Sequence, residues 1–89
     1  MKRKDYNPQL QAAYLEAVDN QLRVNNPPET RQTLDRLRAL NISERDAKLL
    51  IASVIAVETY EVMKTQKPFN RERFLRNLAA LPDHSFLEE

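Results

Sequence analysis

Two glutamates, Glu58 and Glu61, stand three residues apart in "ETYEVM", directly after the charge-free run "LLIASVIAV" at 49–57. Carboxylates at i and i+3 share one side of a helix. Such a pair at the rim of an apolar stretch is raw material for a metal site or for general acid–base chemistry, and Tyr60 between them would add a hydroxyl. Against this polar candidate of Glu58, Tyr60 and Glu61 stands an ordinary reading: the core stripe fades toward the end of its helix, and both carboxylates reach solvent or pair with Arg73 or Arg76. Acidic residues are rarely buried unless paired. A di-metal bundle would also want glutamates on several inward faces together with a Glu-x-x-His pair, and the sole histidine, His84, falls in the tail. The ordinary reading is therefore favoured, with Tyr60 a partly buried packing residue whose hydroxyl stays wet. No catalytic residue, metal ligand or cofactor is expected.

The elements that would carry these residues separate at proline and asparagine. Asn7 as N-cap and Pro8 at the first helical position open a helix that carries Leu10, Tyr14, Ala17, Val18 and Leu22 at helical spacing, to about Arg23. In "NNPPET", Asn26 is expected to cap a second helix, with two prolines in its first turn and Glu29 completing a capping box. Leu34, Leu37 and Leu40 form its stripe, and Asn41, a residue tolerant of the left-handed conformation, should close it. Ser43 caps a third helix with Glu44 and Asp46 in its first turn, where acids suit the dipole. Its stripe is Ala47, Leu50, Ile51, Val54, Ile55 and Val62, yet Leu49, Ala52 and Ala56 lie on the other side. A helix apolar nearly all round is central. Pro68 ends it, and Asn70 caps a short fourth helix with Phe74, Leu75, Leu78 and Leu81, stopped by Pro82. The fold expected is all-α, a small bundle of four helices around a central apolar third helix. A basic N-terminus at 1–6 expected to be flexible, one domain at 7–82 and a tail at 83–89 complete the division.

Composition narrows the function. The chain has 89 residues, enough for one domain with a modest core. The run at 49–57 is too short for a membrane span, which needs about 18 apolar residues. Cysteine is absent, which removes disulfides, thiolate nucleophiles and cysteine metal sites, and no apolar segment marking secretion follows "MKRKDYNPQ". The cytoplasm is the expected location. Glycine is absent too. Phosphate-cradling loops, dinucleotide fingerprints and oxyanion turns use glycine for positive φ or for close backbone approach, so those enzyme classes are disfavoured.

Nucleic-acid binding is the alternative function. The join "LDRLRALNISERDAKLLI" at 34–51 has helix-turn-helix spacing in Leu37, Leu40, Ile42, Ala47 and Leu50. However, its second helix begins Glu44-Arg45-Asp46, and two acids there would repel phosphates. The net charge is only +1, with both signs interspersed outside "KRK" at 2–4 and "RERFLR" at 71–76. In the latter, Glu72 and Arg76 are spaced to pair at i, i+4.

From Val18 to Leu81 the order of motifs resembles a family of small bacterial all-helical proteins with no assigned activity. The pieces that carry the likeness are Asn20-Gln21-Leu22, Pro27-Pro28-Glu29, Arg36-Leu37, Ser43 with Ala47, and Phe69 with Arg73-Phe74. The resemblance implies a helical fold. It also implies a departure: many such proteins carry histidines four apart on the first helix and again early in the third, and the matching positions here are Gln11, Leu15, Arg45 and Leu49. None of these is a metal ligand of the needed type, and Leu15 and Leu49 are expected to pack together instead.

The function expected is a non-enzymatic protein-interaction module, self-association into a homodimer included. Its surface would be the second apolar side of the third helix, Leu15, Leu49, Ala52 and Ala56, if the bundle leaves that side uncovered.

Overall fold

A computed structural model describes residues 8–83. Four helices follow one another: α1 (Pro8–Val24), α2 (Pro28–Ala39), α3 (Glu44–Thr65) and α4 (Arg71–Ala80). The all-α bundle expected from the periodicity is the one observed, and α3 packs against each of the other three helices. Its centre is one apolar cluster to which every helix contributes: Val18 from α1, Leu34 and Leu37 from α2, Ala47, Ile51, Val54 and Ile55 from α3, Phe74 and Leu78 from α4. Leu81, just past α4, closes it. The Asn7 cap, the "KRK" segment and most of the tail, His84 included, lie outside the described residues.

Without glycine, the chain reverses on amides. Asn25 and Asn41 take left-handed φ of 54° and 70°, a conformation that asparagine tolerates better than other residues with a β-carbon. Each builds the same closing motif. After α1, the N–H of Asn25 donates to the Leu22 carbonyl and that of Asn26 to Gln21. After α2, the N–H of Asn41 donates to Arg38 and that of Ile42 to Leu37. These are the paired bonds of a Schellman ending. Two expectations fall as a result. Asn26 belongs to the close of α1 and does not cap α2: the N-cap is Pro27, no side chain caps the helix, and the capping box with Glu29 is not formed. Leu40 stands about half exposed because the helix has ended by that point, and Ile42, folded back by the turn, packs against the core in its place.

The other caps form as the sequence predicts. Ser43 Oγ accepts from the Asp46 N–H at 3.1 Å and Asn70 Oδ1 from the Arg73 N–H at 2.9 Å. Arg36 holds the far end of α4, donating from Nη1 to the Leu81 carbonyl at 2.6 Å and from Nη2 to the Leu78 carbonyl at 2.9 Å. Glu29, seven residues before Arg36, meets Arg71, seven before Leu78, at 3.8 Å. α2 and α4 therefore run side by side in the same direction. No ion pair joins Glu72 to Arg76, and among the described residues no helix is long and apolar enough to cross a membrane.

The second apolar side of α3 is not free. Ala52 is 4% exposed and sits in the core, while Leu15, Leu49 and Ala56 are half-buried. Helix α1 packs on α3, with Leu15 against the core cluster and Asp19 bound to Lys48 at 2.8 Å. Of the interaction surface expected there, Ala52 belongs to the core, and only Leu15, Leu49 and Ala56 keep partial exposure.

Candidate functional site at the α3–α4 elbow

The stripe of α3 does not fade before Glu58. Ile51, Val54, Ile55 and Glu58 recur at three, four and seven residues, so the helix register carries the carboxylate into the core, where it is fully buried. An isolated buried carboxylate is expensive, by several kcal/mol. It is sustained here by Arg73 of α4, whose Nε donates to Oε2 at 2.5 Å and whose Nη2 donates to Oε1 at 3.0 Å. This two-pronged, charge-assisted contact is the strongest kind of hydrogen-bonded pair available to a carboxylate. It raises the affinity of the Arg73 guanidinium for its proton above the ordinary arginine value, first through the Glu58 hydrogen bond and then through the nearby charges of Glu58 and Glu61, against partial desolvation. The pairing with Arg73 is the one the sequence offered. Of the two outcomes the sequence left open for Glu58, solvent or an arginine partner, the structure has the second, with the carboxylate buried by its register.

Chemically this is a clamp. Both carboxylate oxygens face the guanidinium, so Glu58 ties α4 onto α3. Glu61 lies one turn further, half-buried. Tyr60, expected to be partly buried, is 62% exposed, with the Lys64 ammonium 5.7 Å from its ring centroid. The three residues of the polar candidate are thus divided among core, border and surface. Among the described residues no three His, Cys, Asp or Glu side chains come together as a metal would need.

The same stretch opens another site. α3 ends at Thr65, and Gln66 turns the chain with φ of 62° and ψ of 24°, its N–H donating to the Val62 carbonyl at 2.8 Å and its amide to the Met63 carbonyl at 3.0 Å. The helix therefore ends three residues before Pro68. Left-handed glutamine is uncommon, because its β-carbon crowds the following carbonyl. Residues 66–70 then cross to the Asn70 cap. Between the end of α3 and the start of α4 lies an open cleft of about 530 Å³. Val62, Pro68 and Phe69 supply its apolar wall, and Glu61, Lys67 and Arg71 stand on its rim. Phe69 is half exposed, its ring tilted against the core ring of Phe74 at 5.3 Å between centroids. Met63 is the most exposed large apolar side chain described, at 68%.

Little in the sequence pointed to this elbow. Periodicity reports which residues of a helix face inward, and Met63 and Phe69 lie where the pattern has ended. The one signal was "KPFN", an aromatic beside a proline between two helices. At the other join, between α2 and α3, Arg38 meets Glu44 at 3.3 Å and Lys48 meets Asp19 and Glu44.

No protein-family model, curated protein or solved structure matches the chain.

Proposed function

We propose that the protein is a non-enzymatic interaction module that presents the α3–α4 elbow to a protein partner. The observation that carries this reading is an open cleft with the half-exposed Phe69 in its apolar wall, next to a last stretch of α3 on which Tyr60 and Met63 also stand in solvent. Grouped exposed apolar residues with a polar rim mark interaction sites, whereas scattered ones need no explanation. The left-handed Gln66 at the centre of the elbow supports the same place, since backbone held in a sparsely populated conformation gathers at sites with a role. The engagement of both Glu58 oxygens supports the absence of acid–base work. A cytoplasmic location goes with this reading, supported by the lack of cysteine.

Site-specific photo-crosslinking tests it. A benzophenone side chain at position 63 should give protein adducts in cells, and one at position 45, roughly 27 Å away along the same helix, should not. Equal labelling from both positions, or none from position 63, would remove the elbow as the binding surface. Sedimentation equilibrium at micromolar concentration separates the self-associating version: a monomer there eliminates the homodimer and leaves a different protein as partner.

A further inference from the structure

The elbow's charges say what kind of partner it takes. Resting on the reading above, we propose that the occupant is an acidic peptide segment with an apolar anchor, the anchor seated against Val62, Pro68 and Phe69 and its carboxylates meeting Lys67 and Arg71.

Three cations line the cleft, and they are not equivalent. Arg73 is already neutralised by Glu58. Lys64, outside the lining, lies over the Tyr60 ring. Arg71 has only the 3.8 Å approach to Glu29, with more than half of its side chain in solvent. Lys67 takes part in none of the ion pairs among the described residues and is exposed. The charge left for a ligand is therefore that of Lys67 and Arg71, less that of Glu61 on the same rim, beside a wall built from an aromatic, a proline and a valine. Such a rim favours carboxylates, and such a wall favours an aliphatic or aromatic side chain. The cleft volume lies within the range of pockets that take compact ligand groups.

A second copy of this chain fits the surface less well. A two-fold interface brings the same patch onto itself, so an elbow-to-elbow dimer would set Lys67 and Arg71 against their own copies, and like charges juxtaposed across an interface cost affinity. A nucleic-acid strand would also satisfy the cations, but strand binding asks for a basic track with stacked aromatics. Here Glu61 and Glu72 interrupt the cations, and Phe69 is already tilted against Phe74.

The test is fluorescence anisotropy of the full chain with four labelled probes. One is a roughly twelve-residue peptide of Asp and Glu bearing one Phe and one Leu. The second replaces its acids by Lys, the third replaces its Phe and Leu by Ser, and the fourth is a single-stranded DNA of similar length. The acidic peptide with its anchors should bind best, weakening about tenfold between about 50 mM and about 300 mM salt as screening sets in. Lys67→Glu should weaken it by about tenfold and Phe69→Ser by a similar factor. Lys67 is exposed, so its variant should melt as the parent does. Tighter binding of the basic peptide, equal binding of the anchorless one, or binding of the DNA alone would overturn the proposal. So would failure of all four probes. In that last case protein adducts from position 63 would show that the elbow still binds and that only the assigned partner chemistry is wrong, whereas loss of both results would remove the elbow itself.

Discussion

Along α3, the stretch from Ala47 to Ile55 buries Ala47, Ile51, Ala52, Val54 and Ile55, all apolar, in the cluster shared by all four helices. From Glu58 to Thr65 the same helix buries one residue, and that residue is a carboxylate. Tyr60 and Met63 stand in solvent there. Both stretches obey one helical register, so the difference lies in what covers them. The first is closed by side chains from every other helix. The second receives a guanidinium from α4 and is then left open where the chain turns away at Gln66. A helix in a bundle this small can thus serve as core at one end and as surface at the other, with a charged clamp at the boundary.

The comparison breaks most severely if the apolar half is hollowed. Phe74→Ala removes a fully buried ring that reaches the cluster and also supports Phe69. Such truncations cost about 4 kcal/mol, a large part of the 5–15 kcal/mol typical of a domain's total stability. Urea unfolding should show the midpoint collapse.

Next comes the clamp. Glu58→Ala should cost about 3 kcal/mol, within the range for breaking a buried pair. Arg73→Ala should unfold at lower denaturant still, because it leaves the buried carboxylate without a partner, whereas Glu58→Ala leaves a cation that can turn toward water. Replacing both by Met and Leu should recover most of the loss, as apolar substitutes for buried ion pairs often do. If the two single variants were equally destabilised, Glu58 would not be as enclosed as the structure has it.

The caps sharpen the comparison at smaller scale. Ser43→Ala, at the start of the buried half, and Asn70→Ala, at the elbow, should each cost about 1 kcal/mol in chemical denaturation. Only Asn70→Ala should also change the elbow's backbone amide shifts in NMR spectra. These two caps were legible because a serine or asparagine before an acid-rich or apolar-periodic run has a direct physical role. The all-helical fold, the central place of α3 and the left-handed Asn41 were legible for the same reason: each follows from local periodicity or local backbone preference. The misreadings all came from competition between neighbours. Asn26 had two possible duties and the close of α1 took it. Leu40 matched the stripe but stood one residue beyond its helix. Ala52 looked spare because the contribution of α1 to its cover depends on packing that no local pattern contains. Glu58 was left between solvent and an arginine partner, because its burial depends on α4 bringing Arg73 to it. Thr30, whose hydroxyl donates to Gln21 Oε1 at 2.7 Å in a buried position between α1 and α2, had no sequence signal at all.

A smaller effect separates the two stretches by pH. Lys48, in the first half, holds its proton above the ordinary 10.5, chiefly through its hydrogen bond to Asp19, with Glu44 adding to it and burial opposing. A raised lysine stabilises the fold while both folded and unfolded chains carry the proton, and that contribution disappears as pH climbs through the folded value. Lys48→Met should therefore be less stable than the parent at pH 7, by at most about 0.5 kcal/mol since the pair is partly exposed. The gap between them should narrow above about pH 10.5. The elbow variant Lys67→Glu should show no such alkaline convergence.

The smallest effect is the most informative about function. Met63→Ser and Tyr60→Ser change side chains that are more than three-fifths exposed, so their removal should move stability by no more than about 0.5 kcal/mol in either direction. Tyr60→Ser also removes the ring under Lys64, so its loss should be the larger of the two. Were these residues packing elements, their loss would resemble that of Phe74. If instead they form a binding surface, stability stays level while crosslinking at the elbow and anchored-peptide affinity fall. Measuring urea midpoints and adduct yield on the same two variants separates the possibilities. A large stability loss at Met63 would mean that the second half of α3 is covered core like the first, and the contrast between the halves would be gone.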